Sequence, residues 1–183
     1  PWKRHDAFIE AARLLRQRLP RAHFVAVGKD LFNEQARYLG QLKAKVQEHG
    51  LADCFTWIED LDAPEAILPA FDLLLHPALH EPFGRVICEA MAARVPVVAA
   101  ESGGPATILE QGRTGVLVRD GDPALMADAA AALLGDGARR DRLVTAAHRS
   151  VLEKYTTHRV CEQIRKEYEA VLSDIRAYKN ADD

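Results

Sequence analysis

Apolar residues recur along this chain with two different periods, and the two periods alternate. Phe8, Ala12, Leu15 and Leu19 return at helical spacing, with Arg13, Arg16 and Arg18 largely off their stripe. That pattern predicts an amphipathic helix capped by Asp6 and ended by Pro20. The run 23–28, HFVAVG, is short and β-prone and closes on Gly28. Residues 31–48 resume helical spacing, with Phe32, Leu39, Leu42 and Val46 inward and Gly50 just past the end. A strand at 54–58, a short helix after Asp62 and a strand at 72–77 follow. Next come a helix at 85–93 and a strand at 95–100 built almost wholly of β-branched and small residues. The turn-rich 102–105, a short helix near 106–110, a turn at 112–115 and a strand at 115–118 complete the alternation. The last third is helical, at about 123–134, 138–153 and 159–178, and residues 179–183 read as a frayed tail. In the final helix Val160, Ile164, Tyr168, Val171, Ile175 and Tyr178 share one face.

Short apolar strands separated by helices call for a parallel sheet covered on both faces. Right-handed crossovers then give a doubly wound, Rossmann-like α/β domain spanning 1–178, without repeats or an internal linker.

Composition narrows the classes. The 183 residues carry 24 Lys+Arg against 27 Asp+Glu, for a net charge of −3, and 48% are apolar. A nucleic-acid binder would show a basic excess, and a disordered chain would lack the apolar content. No apolar run reaches the roughly 20 residues that span a bilayer. Cys54, Cys88 and Cys161 fit no zinc spacing and no disulfide framework, and read as buried or half-buried side chains in a reducing compartment. His76 and His80 are close in sequence, but Pro77 between them argues for a loop rather than a helical metal pair. The chain opens on Pro1, with charged residues at once, and is expected to be a fragment.

An open parallel sheet binds ligands outside the carboxyl ends of its strands. The loop after 72–76 is chemically loaded there: HPALHEPFGRVICEAMAA. Gly84 lets the backbone approach a ligand, and the first-turn N–H groups of Gly84, Arg85 and Val86 form an anion site with the helix dipole. Glu89, a turn further on, can accept hydrogen bonds from two adjacent ribose hydroxyls, and Glu81 can face a second polyol. Two carboxylates flanking a phosphate-binding turn suit a nucleotide sugar better than a bare nucleotide. Glu81 and Glu89 are equally compatible, at this point, with solvated surface positions. The Gly-Gly turn at 103–104 is a second close-approach signal, or simply a tight turn. VGKDLF at 27–32 has a single glycine and no Walker lysine follows, so dinucleotide and P-loop sites lose their support.

Residues 81–118, EPFGRVICEAMAARVPVVAAESGGPATILEQGRTGVLV, resemble the donor-site signature of group 1 retaining glycosyltransferases of the GT-B fold, glycosyltransferase family 4. The shared features are Glu, seven residues and Glu, then Glu-Ala-Met-Ala, a Pro-Val-Val strand, a Gly-Gly turn and a Thr-Gly before a strand. PWKRHDAFIEAARLL, HFVAVG, LADCFTWIEDL and FDLLLHPA align in order, so the resemblance covers 1 to about 178.

It implies that Glu89 holds the ribose, and that Glu81 with backbone of Phe83 and Gly84 contacts the donor sugar. Amides of Gly84, Arg85 and Val86 would hold the diphosphate, and Lys3 would neutralise the departing β-phosphate. Lys3 and Glu81 are the catalytic positions it implies. Ile58 to Leu61 would line the base pocket, Gly28 counts among the substrate-binding positions, and His80 would point at the sugar. The chain departs from the family pattern at Asp30, Glu59 and Thr107, and the family's upstream phosphate-binding Arg is not in it.

The resemblance also implies transfer from a UDP- or GDP-sugar with retention, neither metal nor separate cofactor, and an absent N-terminal domain that binds acceptor. It implies no nucleic-acid partner, and a cytoplasmic parent enzyme with peripheral membrane association. The last helix would lean toward the absent domain. The alternative is a non-catalytic nucleotide-binding α/β module; a flavodoxin-like carrier lacks any cofactor signal.

Overall fold

The structure is a computed structural model that describes residues 2–28 and 36–181, with the side chains of 174–181 outside the description. The expectations for Phe32, Asp30, Ile175 and Tyr178 therefore lie outside the described side chains. The elements run α1 (His5–Arg18), β1 (Phe24–Val27), α2 (Ala36–Glu48), β2 (Phe55–Ile58), a 3₁₀ turn (Pro64–Ala70), β3 (Leu74–His76) and α3 (Arg85–Ala92). They continue with β4 (Val97–Ala100), α4 (Gly104–Ile108), β5 (Val116–Val118), a second 3₁₀ turn (Arg119–Gly121), α5 (Pro123–Gly135), α6 (Gly137–Lys154) and α7 (Thr157–Ala181).

All the ladders are parallel. They fall into a pair, β1-β2, and a triplet, β3-β4-β5. The alternation of a strand buried on both faces is visible residue by residue in the triplet. Leu74, Val97, Ala99 and Leu117 face α3, α4 and α6 through Ile87, Met91, Ile108 and Ala147. Val98, Val116 and Val118, with Leu73 and Leu75, face the opposite way onto Ala11, Met126, Leu133 and Leu143. Leu73 and Leu75 also pack into a third cluster with Ile9, Phe24, Phe55 and Ala130, so the two ladders share one interior. The expected doubly wound α/β layering is present.

Several local expectations are corrected. Asp6 does not cap α1: the helix begins at His5, the capping residue is Arg4 in the left-handed region, and no side-chain cap bond forms. Asp6 instead lies in the first turn, where its charge still favours the helix N-terminus. Helix α4 starts two residues earlier than expected, because Pro105 occupies its first turn, where a missing N–H costs nothing. Helix α7 begins at Thr157 and runs through Ala181, past the expected end at 178. Cys54 is buried and Cys88 half-buried, but Cys161 is exposed, because α7 turns that face to solvent. The same helix leaves Val160, Ile164, Tyr168, Val171 and Leu172 exposed.

Candidate functional site

The carboxyl ends of β3, β4 and β5 are stitched together through backbone groups. After His76 the chain runs through buried Pro77 and Ala78 to His80, which is left-handed with φ 57°. That conformation turns the His80 N–H onto Ser102 Oγ at 2.9 Å. Gly104 N–H donates to the Glu81 carbonyl at 2.7 Å. A Cβ on Gly103 would sit 2.5 Å from the Glu81 carbonyl oxygen, and one on Gly104 would sit 1.9 Å from that of Phe83. The Gly-Gly turn is therefore a close-approach device, but what it approaches is the 81–83 loop of the same chain. Thr107, one of the departures from the family pattern, donates from Oγ1 to the Gly104 carbonyl at 2.8 Å and so steadies this turn.

Glu81 lies at the centre, only 8% exposed. A carboxylate this buried needs a charged partner. Lys3 Nζ supplies it at 2.6 Å from Oε2, reaching in from a segment 78 positions away in the chain. The Lys3 ammonium also stands 4.1 Å from the Trp2 ring centroid, a cation–π distance. Arg4, the next residue, is left-handed and donates from Nη1 to the Asp120 carbonyl at 2.8 Å, fixing this segment to the loop after β5. Asp120 is itself left-handed. Of the four described non-glycine residues with positive φ, three thus lie around this site, the kind of clustering that marks functional sites.

His76 completes the group and was missed by sequence reasoning, which considered it only as half of a metal pair with His80. Its ring is 5% exposed, and Nε2 lies 3.7 Å from Glu81 Oε2. Burial first, and Lys3 second, push its pKa down to about 4 against the opposing pull of Glu81. The available signal was its place as the last residue of a buried strand, at the edge where this fold binds ligands.

Gly84, at φ 100°, starts α3. The first N–H taken internally is that of Ile87, which donates to the Gly84 carbonyl at 2.9 Å. The N–H groups of Gly84, Arg85 and Val86 precede it, in the stretch where a helix leaves its donors unpaired. Glu89 is on α3 one turn in, and its Oε1 accepts from Arg85 Nε at 3.2 Å while the Arg85 side chain stays exposed. Burial, with help from Glu89, raises the neighbouring Cys88 thiol to about 11, so it is an inert neutral group. The Phe83 ring points away onto Tyr155, edge-on at 5.9 Å.

The remaining candidates lie at the edge of the other ladder. Gly28 N–H donates to the Ile58 carbonyl at 3.0 Å. Ile58 is half-buried and Leu61 exposed, and the Glu59 carboxylate is held by Lys43 Nζ at 2.5 Å. Lys3, His80, Glu81, Phe83, Gly84, Arg85, Val86 and Glu89 thus gather at the ends of β3 and β4, and Gly28, Ile58 and Leu61 at those of β1 and β2.

A helix start beside two carboxylates, at the carboxyl edge of a parallel sheet, defines an α/β domain of the doubly wound kind. Residues 1–150 match the family model for glycosyl transferases group 1, and the chain belongs to that family. Over 155 residues, 80% of the chain, it is 34% identical to a D-inositol 3-phosphate glycosyltransferase of Stackebrandtia nassauensis, of which the match covers 34%. The chain spans about a third of the length of that curated relative. Among solved structures it superposes on Anabaena HepE in complex with UDP with a TM-score of 0.86 and 28% identity, covering 93% of this chain and 46% of that one. It also matches the C-terminal domain of a group 1 family protein, LpcC, from Francisella tularensis, with a TM-score of 0.77 and 25% identity. That match covers 85% of this chain and 81% of that domain. The fold is that of the GT-B glycosyltransferases.

Proposed function

We propose that this chain is the donor-binding domain of a retaining glycosyltransferase of family 4, and that it holds a nucleoside-diphosphate sugar at the carboxyl edge of its sheet. The observation that carries the reading is the buried Glu81, paired with Lys3 and set beside the open N-terminus of α3. In this reading Glu89 leaves Arg85 to take the ribose hydroxyls, and Glu81 grips the sugar. The amides of Gly84, Arg85 and Val86 hold the diphosphate. Gly28, Ile58 and Leu61 line the side toward the base, and His80 lies beside the sugar.

The chemical demand is charge on the departing diphosphate. Preorganised N–H groups and an ammonium meet it without reorganisation at the moment of reaction. Lys3 and the start of α3 would supply both, so transfer is read as metal-independent. With retention, the acceptor attacks the face from which the diphosphate leaves, and the leaving phosphate oxygen accepts the acceptor's proton, so no side-chain base is required. The acceptor site belongs to an N-terminal domain, and residues 1–178 bind donor without transferring it. The parent works in the cytoplasm, in peripheral contact with a membrane; among the described residues no helix is long and apolar enough to cross one. UDP in HepE supports a nucleotide at this edge.

Isothermal titration calorimetry of the chain with UDP, GDP and ADP and their sugars tests the reading. At least one nucleotide should bind weakly, and Glu89→Ala should weaken it. Absence of binding across the whole set would refute the donor-site assignment.

A further inference from the structure

The donor-binding reading puts two demands on the Lys3 ammonium, the Glu81 carboxylate and the donor's diphosphate. In the structure the ammonium neutralises Glu81 at 2.6 Å. With donor present it would turn to the diphosphate, leaving a carboxylate that is 8% exposed without its cation. A buried carboxylate that loses its partner either swings toward water or finds another donor. We propose that His76 is that donor: a positioning residue whose Nε2–H takes over Glu81 Oε2 when Lys3 turns away, so that Glu81 stays aimed at the donor sugar. The inference rests on the donor-binding reading.

Four observations carry it. The His76 ring is 5% exposed and sits at the end of β3, with its backbone in register with Ala99 of β4, so the strand fixes where it points. Its Nε2 is 3.7 Å from the same Oε2 that Lys3 holds. A side-chain shift of less than about 1 Å brings that pair to hydrogen-bonding distance. An ionised carboxylate only accepts hydrogen bonds, so the ring nitrogen facing it must carry the proton. Nδ1 is buried with no hydrogen-bond partner among the described residues, which fits the same tautomer, since it is then a bare acceptor rather than a stranded N–H. Burial keeps the ring neutral, so His76 can donate to Glu81 without competing with Lys3 for charge. It acts through Glu81 and not on the sugar itself.

The test compares nucleotide with nucleotide sugar on the chain as it stands. Calorimetry with UDP and UDP-glucose, and with GDP and GDP-mannose, gives the ratio by which the sugar improves affinity. His76→Leu should cut that ratio about tenfold, the size of one hydrogen bond to a charged group, and leave affinity for the bare nucleotide unchanged. His76→Gln, which keeps an N–H near the Nε2 position, should restore most of it. A ratio unchanged in His76→Leu overturns the inference. So does an equal loss in both variants, which would mark His76 as a packing residue, and so does a wild-type chain that binds nucleotide and nucleotide sugar equally.

If His76→Leu fails to fold, ¹⁵N spectra of the histidine-labelled wild type decide. They should show the Nε2–H tautomer, with the Nε2 signal moving on addition of nucleotide sugar but not of nucleotide; an Nδ1–H tautomer overturns the proposal. A chain that binds no nucleotide or nucleotide sugar at all refutes the donor-site reading instead, and in that case the tautomer alone still reports whether His76 faces Glu81 as a donor.

Discussion

Replacing Gly104 by alanine adds one methyl group where the structure leaves no room. A Cβ there lies 1.9 Å from the Phe83 carbonyl oxygen and 2.3 Å from the carbonyl carbon. Both are backbone atoms, so no change of rotamer relieves the clash, and either the 81–84 loop or the start of α4 must retreat by about 1 Å or more. The retreat breaks the 2.7 Å bond from Gly104 N–H to the Glu81 carbonyl. That bond contributes about 1 kcal/mol and the overpacking adds about 1–3 kcal/mol, so the variant should lose about 2–4 kcal/mol of stability. The displaced segment carries Glu81 and leads directly into the first turn of α3, so nucleotide affinity should fall at least about tenfold, since misplacements of this size at a binding edge are costly. Gly40→Ala is the matched control: a Cβ on this exposed residue of α2 meets nothing within 4 Å, and removing glycine from a helix interior should stabilise by about 0.5–1 kcal/mol. Urea unfolding followed by circular dichroism gives the midpoints at comparable slope, and calorimetry gives the affinities. A Gly104→Ala chain as stable as wild type, with nucleotide binding intact, would refute the argument that backbone contact between these two loops seats the site.

Three further outcomes follow from the same geometry. The pKa of His76 is pushed below its unfolded value of 6.5 to about 4, so the unfolded chain binds the extra proton first and stability falls as pH drops from 6.5 to 4; this group contributes about 3 kcal/mol of that loss. Thermal melts at pH 7 and pH 4.5 should accordingly show a smaller drop for His76→Gln than for wild type, and equal drops would contradict a buried neutral imidazole. Glu89→Ala should weaken nucleotide binding by about 1–3 kcal/mol through lost bonds to ribose, while Arg85→Ala should leave it intact or improve it, because Arg85 Nε occupies Glu89 in the free chain; calorimetry distinguishes the two. Ile164 and Val171 are 50% and 54% exposed on α7, so Ile164→Lys with Val171→Lys should leave the melting temperature within about 1 °C and reduce any self-association seen by sedimentation; a strictly monomeric wild-type chain would overturn the second expectation.

The layers were legible because a strand buried on both faces reads as a short continuous apolar run between helical segments. Leu73, Leu74 and Leu75 read as one apolar run, and the structure divides them between two faces of the sheet. The start of α3 was legible too, since Phe-Gly-Arg before a helical run announces a left-handed glycine and a set of unpaired N–H groups. What the residues alone could not show was pairing between distant segments. Lys3 reads as a solvated side chain near the chain's start until its ammonium is seen on Glu81, and only the family resemblance gave it a role. His76 was hidden for the same reason: nothing in a local pattern says that a strand's last residue meets a carboxylate five positions on, across a left-handed turn. The Gly-Gly turn left a close approach and a simple tight turn both open; it is a close approach, and its partner is the chain itself.

These misses share a cause, and it bears on how the site works. The hydrophobic layers that stabilise the domain keep to favourable local conformations, whereas the conformationally costly features collect at the strand ends: left-handed Arg4, His80 and Asp120, the two glycines under the 81–83 loop, and a buried carboxylate. They surround the proposed donor site. Left-handed His80, next to Glu81 in the chain, donates its N–H to Ser102 Oγ. Arg4 anchors the segment that carries Lys3 to the Asp120 carbonyl. Gly104 ties the Glu81 backbone down through its carbonyl, while the carboxylate pairs with Lys3. On the proposed donor-binding reading, the backbone is held while the side-chain pairing exchanges, with Lys3 against His76 on Glu81 and Arg85 against ribose on Glu89. Such an edge is preorganised in position without being saturated in charge, so a donor entering it replaces contacts already present rather than ordering a loose loop, and the cost of binding falls on a few exchanged hydrogen bonds.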